Sequence, residues 1–159
     1  MKFTLLVTLI LTIFTGCSNK VVEVKNTLPK TTKKVTIFAL HNYTDTPRAG
    51  MRASNIIDGV LLNKGYVVSN HIEDGKLSIS KMQEIAEKEH SDFFVYGGIS
   101  EWRYKTGIDG EPAVSLTFSL YNTTDASVKW SATGSNSQWG VDSLGTTAHS
   151  LILEMTKTK

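Results

Sequence analysis

The chain is 159 residues long and carries 17 basic and 15 acidic side chains, for a net charge of +2 with its histidines neutral. That balance argues against nucleic acid as a partner, because neutralising phosphates requires a clustered basic face. The single cysteine excludes a disulfide within the chain, so the fold must be stabilised by packing.

The N-terminus has the pattern of a secretory signal. Met1 and Lys2 precede an apolar run over residues 3–14, which is too short for a transmembrane helix of about 20 residues. Small residues stand immediately before Cys17, and the pattern resembles a bacterial lipobox. It predicts that residues 1–16 are a cleaved lipoprotein signal peptide and that Cys17 becomes the lipid-modified N-terminus. The alternative is an ordinary secreted protein with an unmodified thiol.

Lipidation of Cys17 predicts firm attachment to a membrane, because two or more acyl chains hold a protein there whereas one chain binds reversibly. Ser18 follows the cysteine. In the lipoproteins that this pattern resembles, such a residue favours the outer membrane, so we expect the protein on its periplasmic face. Residues 17–32 lack apolar periodicity and are predicted to be the lipidated cysteine and a flexible tether. One domain is then expected over residues 33–159.

Strand and helix patterns alternate over the first half of this domain. The apolar, β-branched segment 35–40 predicts a strand buried on both faces. After a turn-rich loop come a helix over 51–64 that ends at Gly65, a short strand over 66–69, a helix opened by a capping box at Ser80, and a strand from Asp92. The order βαβαβ is typical of parallel strands joined by right-handed crossovers.

Long alternating strands fill the second half of the domain. Residues 93–105 predict one strand, residues 114–121 alternate apolar and polar side chains, and a third strand runs from Val128 towards Trp139. Ser143 is the predicted cap of a C-terminal helix. The sequence therefore predicts a single α/β domain, in which a mixed sheet extends the βαβαβ unit with long antiparallel strands.

Catalytic motifs are absent from the sequence. No GxSxG, GxxxxGK[ST] or GxGxxG occurs, and an acylated Cys17 cannot act as nucleophile or metal ligand. The histidines lack the HxH, HxxxH and HExxH spacings of metal sites and lie far apart: His41, His71, His90 and His149. We therefore expect no enzyme activity, no metal and no cofactor.

One segment and one tryptophan are candidates for contacts with other molecules. Alternation along a predicted strand places charges on one face and aromatics on the other, over five residues that suit a subunit interface: Glu101, Trp102, Arg103, Tyr104 and Lys105. Subunits meeting head to tail would close into a ring. The alternative is a decorated hairpin with solvated charges. Trp139 either packs back on the core or rests at the lipid interface.

Five segments of the mature domain carry a resemblance to a known family. The most specific is the block EWRYKTGIDGEPAV at residues 101–114. Weaker ones are the first strand with the following NYTD, the helix end LLNKGY, and the late segments VKWSA and QWG. On these segments the mature domain resembles the PelC family of outer-membrane lipoproteins, which act in Pel exopolysaccharide export. Wider kin are small envelope domains related to the CsgG periplasmic domain and the TolB N-terminal domain.

The resemblance implies a non-enzymatic ring of lipid-anchored subunits on the inner leaflet of the outer membrane. Such a ring has an acidic mouth that guides Pel, a cationic, partly deacetylated aminosugar polymer, towards a PelB-like porin with TPR repeats. Asp109 and Glu111 are the expected polymer-guiding residues, and Trp139 is the expected membrane contact. Two alternatives are a component of a CsgG-like secretion channel, and an envelope lipoprotein that scaffolds or activates a cell-wall synthase.

Overall fold

The computed structural model describes residues 19–29, 32–73, 76–106, 110–138 and 142–157. These residues form seven strands and three helices, which confirms the predicted single α/β domain. The strands are β1 (Asn19–Lys25), β2 (Lys34–Phe38), β3 (His41–Asn42), β4 (Val67–His71), β5 (Phe93–Tyr104), β6 (Pro112–Asn122) and β7 (Val128–Ser137). The helices are α1 (Ala49–Asn63), α2 (Ile79–Lys88) and α3 (Leu144–Met155). None of these described helices is long and apolar enough to cross a bilayer.

All seven strands belong to one mixed sheet, ordered β1-β7-β6-β5-β2-β4, with β3 beside β5. β2 is parallel to both β4 and β5, and β3 continues the parallel pairing with β5. With α1 and α2 as the crossovers, this half is the predicted βαβαβ unit. β5, β6 and β7 pair antiparallel, and β1 adds antiparallel to β7. The predicted antiparallel extension is therefore confirmed.

Local sequence explains where α1 and α3 begin and end. α1 stops where Gly65 adopts a φ of 90°, which only glycine takes easily, and the Tyr66 N–H then donates to the Leu61 carbonyl. α3 begins at Ser143, as predicted, because its hydroxyl accepts a hydrogen bond from the Thr146 N–H at 3.0 Å.

α2 begins two residues earlier than the sequence predicts. The capping residue is Ser78, whose hydroxyl accepts a hydrogen bond from the Lys81 N–H at 3.3 Å. The prediction that a capping box at Ser80 opens this helix is therefore wrong. Leu77 and Ile79 are partly buried against the apolar cluster beneath the helix. Their contact with the sheet places the start of the helix upstream of the local motif.

Helices cover the two faces of the sheet unequally. α1 and α3 pack on the larger core, where Phe118 and Trp130 meet with ring centroids 5.0 Å apart. α2 covers a smaller cluster built on Phe38, Phe94 and Met82. Beside α2, the same face of β6 and β7 carries paired serine and threonine hydroxyls instead of apolar side chains. The sheet therefore has one fully packed face and one that is partly polar.

The structure corrects the predicted tether. Residues 19–25 form β1, which pairs residue by residue with β7 from Asn19 opposite Ser137 to Lys25 opposite Ser131. Farther on, Leu28 is buried in the larger core. β1 is an edge strand with exposed valines, so the sequence of residues 19–25 predicts a strand only weakly. This segment forms a strand because it pairs with β7, which is far along the chain.

Candidate functional site

The β5–β6 hairpin carries the block of residues that the sequence singled out. Its two strands pair from Phe93 opposite Asn122 to Tyr104 opposite Pro112. The backbones approach very closely at one point, because a Cβ on Gly97 would lie 2.1 Å from the Thr117 carbonyl oxygen. A bulge follows between Ile99 and Glu101. The bulge shifts the alternation of side chains in the last four residues of β5.

Charged side chains are paired at the connector end of this hairpin, where β5 leads into β6. The Lys105 ammonium lies 3.3 Å from a Glu111 carboxylate oxygen and donates to the Ser137 hydroxyl at 2.7 Å. The Lys105 N–H also donates to the Glu111 carbonyl at 2.7 Å. Glu111, one of the two predicted polymer-guiding residues, is therefore partly neutralised by a neighbour on its own chain.

A second charged pair lies within β5, farther from the hairpin connector. Arg103 contacts a Glu101 carboxylate oxygen at 3.1 Å, and the other oxygen accepts from the Ser115 hydroxyl at 3.2 Å. Ser115 in turn lies 2.9 Å from the hydroxyl of Ser135 on β7. Two of the five predicted interface residues thus join a hydrogen-bonded row that crosses three strands.

Trp102 does not lie on the displayed surface that the sequence predicted. Its side chain is 3 % exposed and packs in the larger core, opposite Val114. The bulge near Ile99 brings Trp102 onto the buried face three residues after Ile99 instead of two. Tyr104, at the strand end, is 51 % exposed. The predicted interface is therefore reduced to Glu101, Arg103, Tyr104 and Lys105, all partly or fully exposed.

The loop over residues 42–46, which the sequence did not assign to a functional site, packs beside β5. The Tyr43 N–H donates to the Ile99 carbonyl at 2.9 Å, and the Thr46 hydroxyl donates to the Trp102 carbonyl at 2.6 Å. Asn42 shapes the turn, because its side-chain oxygen accepts from the N–H of Thr44 at 3.0 Å. The sequence marked this stretch only as turn-rich, and its NYTD run was the available signal.

Three predicted functional residues lie outside the described residues. They are the predicted lipidation site Cys17, the predicted polymer-guiding residue Asp109 and the predicted membrane contact Trp139. The described residues that flank them are Asn19, Gly110 and Gln138. These three roles therefore remain predictions.

The histidines are dispersed over the described fold. His41 packs edge-on against Tyr96, with ring centroids 5.2 Å apart. His71 lies 3.3 Å from a Glu89 carboxylate oxygen. Hydrogen bonds from Ser69, His71 and Lys34, in that order of effect, lower the pKa of Glu89. Across the described ranges, no group of three or more His, Cys, Asp or Glu residues is placed to hold a metal ion.

Comparison with solved structures identifies similar proteins, although neither a protein-family model nor a curated protein matches the chain. The PelC dodecamer from Paraburkholderia phytofirmans is 32% identical with a TM-score of 0.76, over 86% of this chain and 94% of that chain. Lipoprotein GNA1162 from Neisseria meningitidis is 18% identical with a TM-score of 0.58, over 77% and 97%. The LpoB C-terminal domain from Escherichia coli is 16% identical with a TM-score of 0.52, over 67% and 84%. The last two share the fold alone.

The mixed sheet and the three helices define a small α/β domain whose fold these bacterial proteins share. The similarity to the Paraburkholderia protein goes beyond fold, because about a third of the residues are identical over nearly the whole length of its subunit. The chain belongs to the PelC family. The family resemblance drawn from the 101–114 block is thereby confirmed.

Proposed function

We propose that this protein is an outer-membrane-anchored periplasmic lipoprotein that assembles into a ring and guides the cationic exopolysaccharide Pel to its export pore. The observation that carries the proposal is membership of the PelC family, in which the Paraburkholderia protein is a dodecamer. A ring repeats each surface carboxylate by symmetry, and the resulting annulus of negative potential concentrates a cationic chain without a deep pocket.

The position of β1 supports a role of the membrane in orienting the ring. β1 begins at Asn19, two residues after the proposed lipidation site Cys17, and two extended residues span only about 7 Å. Asn19 is paired with Ser137, so this end of the sheet lies close to the proposed anchor. Trp139 follows Ser137 by two residues, which suits the proposed contact of its indole with the lipid interface.

The connector end of the β5–β6 hairpin lies next to the same end of β7. The Lys105 ammonium donates to the Ser137 hydroxyl at 2.7 Å, and Lys105 also pairs with Glu111. Asp109 and Glu111, the proposed polymer-guiding residues, would therefore stand at the end of the sheet that faces the outer membrane and its PelB-like pore. Glu101 and Arg103 on β5, and Lys105 just after it, are the proposed contacts with a neighbouring subunit.

The experiment is an Asp109→Asn and Glu111→Gln double variant, tested in cells for polymer export and in detergent for the mass of the purified assembly. We expect impaired export with an unchanged ring mass, because each substitution removes charge and keeps side-chain size. Glu87→Gln on the exposed face of α2 is the matched control and should leave export intact.

Each measurement tests a separate part of the proposal. Unaltered export in the double variant would refute the roles of Asp109 and Glu111. A strictly monomeric lipidated wild type at high concentration would refute the ring, and would favour an envelope scaffold or activator of a cell-wall synthase.

A further inference from the structure

A polar groove crosses the sheet face that α2 leaves uncovered, and apart from Glu101 and Arg103 its lining side chains have no part in the proposed function. One part, of about 400 Å³, lies between β5 and the loop from Tyr43 to Thr46. A second part, of about 270 Å³, lies over β1, β6 and β7. Ser100 and Ser115 line both parts, so the two parts adjoin on this face of the sheet.

Rows of hydroxyls form the floor of the groove over β6 and β7. Ser115 lies 2.9 Å from Ser135, and Thr117 lies 2.9 Å from Thr133. Each hydroxyl can donate once and accept twice, so these pairs retain unused hydrogen-bonding capacity towards a ligand. Successive rows are about 7 Å apart because side chains on one face recur every second residue. The floor therefore suits an extended, polyhydroxylated chain.

Carboxylates outnumber cations along the groove. Glu23, Asp45 and Glu101 line it, whereas Arg103 is its only cation among the described residues. Arg103 is engaged with Glu101 at 3.1 Å. Asp45 and Glu23 are exposed, and within the described parts of the chain neither forms an ion pair. The net charge of the groove is negative, so it favours a positively charged ligand.

One aromatic side chain, Tyr43, completes the wall of the groove at the β5 side. Tyr43 lines the groove and is 67 % exposed, an arrangement that offers an open ring face to a cation or an apolar ligand surface. Trp102, next to Glu101 and Arg103 on β5, offers no ring to the groove, because its side chain packs in the larger core on the opposite face of the sheet.

We propose that this groove binds a cationic, polyhydroxylated chain, specifically an amino-sugar oligomer. Asp45, Glu23 and Glu101 attract its ammonium groups, the serine and threonine rows exchange hydrogen bonds with its hydroxyls, and Tyr43 packs against a sugar ring. The inference rests on the proposed function for the natural ligand and deepens it, because it adds a binding surface along the sheet to the carboxylates of the hairpin connector.

The test measures binding of a glucosamine hexamer and of the neutral N-acetylglucosamine hexamer to the purified lipidated protein in detergent, by calorimetry. We expect the glucosamine hexamer to bind more tightly, with an affinity that falls as salt is added. Tyr43→Ala and Asp45→Asn should each weaken its binding about three- to fivefold, in line with single exposed cation–π and ion-pair contacts. Glu87→Gln removes the same charge on α2 and should leave the affinity unchanged.

The outcomes separate the groove from the proposed function. Three results would refute binding in the groove. They are equal affinities for the two hexamers, unchanged binding in both groove variants, and no binding by the wild type. If the Asp109→Asn and Glu111→Gln double variant does not bind the glucosamine hexamer while the groove variants bind it normally, binding in the groove is refuted and the proposed function stands. A loss of export or a change in the mass of the ring would bear on the proposed function, and both are measured independently of hexamer binding.

Discussion

Asp92 connects three segments of the sheet at one point. Its carboxylate accepts from the Lys34 N–H at 2.9 Å and from the Lys33 ammonium at 2.7 Å. Its N–H donates to the Lys34 carbonyl, and its carbonyl accepts from the Thr123 N–H. One residue thereby joins the starts of β2 and β5 to the turn between β6 and β7.

The charge of Asp92 makes this junction sensitive to acid. Partial burial by itself raises the pKa of Asp92, but hydrogen bonds from Lys33 and Lys34 outweigh it and hold the pKa below its ordinary value. A lowered folded-state pKa contributes stability above the unfolded-state value near 4, and that contribution disappears as pH falls through the folded-state pKa.

We expect Asp92→Asn to lower the free energy of unfolding by about 1 kcal/mol at pH 7, a modest loss because the ion pair with Lys33 is half exposed. The loss should shrink as pH falls from 5 towards 2, because the wild type then loses the same charge. Urea denaturation of both proteins across that range measures the difference. A difference that stays constant with pH would show that the carboxylate charge contributes nothing at this junction.

Single residues also show where sequence reasoning fails in this chain. Alternation correctly placed Glu101 and Arg103 together on one face of β5, because a strand has a period of two. It could not say that Trp102 is buried while Tyr104 is exposed. That difference depends on the bulge near Ile99 and on the position of Tyr104 at the end of the strand, which are properties of the folded sheet.

At the scale of elements, the sequence predicted best where burial follows a local period. On α2 and α3, the apolar residues Met82, Ala86, Leu151 and Ile152 recur with helical spacing and are all buried. β1 was missed because an edge strand buries little and needs a distant partner. The groove was missed for the same reason, because it joins a loop to strands far apart in sequence.

The two candidate caps of α2 offer a direct comparison of motif and structure. Ser78→Ala removes the acceptor for the Lys81 N–H and should cost about 1 kcal/mol of unfolding free energy. Ser80→Ala lies in the first turn on an exposed position and should change stability by less than about 0.5 kcal/mol. Urea denaturation at neutral pH measures both. A larger loss for Ser80→Ala would mean that the helix begins at the motif after all.

For the whole molecule, the short distance between the proposed anchor and β1 fixes how the domain meets a membrane. A flexible tether over residues 19–32 would let the body tumble freely. With β1 paired to β7 from Asn19 onward, only about two extended residues separate Cys17 from the sheet. The ends of β7 are roughly 30 Å apart, since its ten residues rise about 3.3 Å each. One end should therefore face lipid while the other stays in water.

Fluorescent labels on introduced cysteines test this orientation, because acylation of Cys17 would leave the new thiol unique. In vesicles containing brominated lipids, a label at Gln138→Cys, just past β7 and next to the Asn19 end of β1, should be quenched. A label at Thr124→Cys, in the exposed turn at the opposite end of β6 and β7, should not be. Equal quenching at the two positions would mean that β1 detaches on the membrane and that residues 19–32 act as a tether. The contrast between the labels thus measures whether β1 stays paired when the protein is anchored.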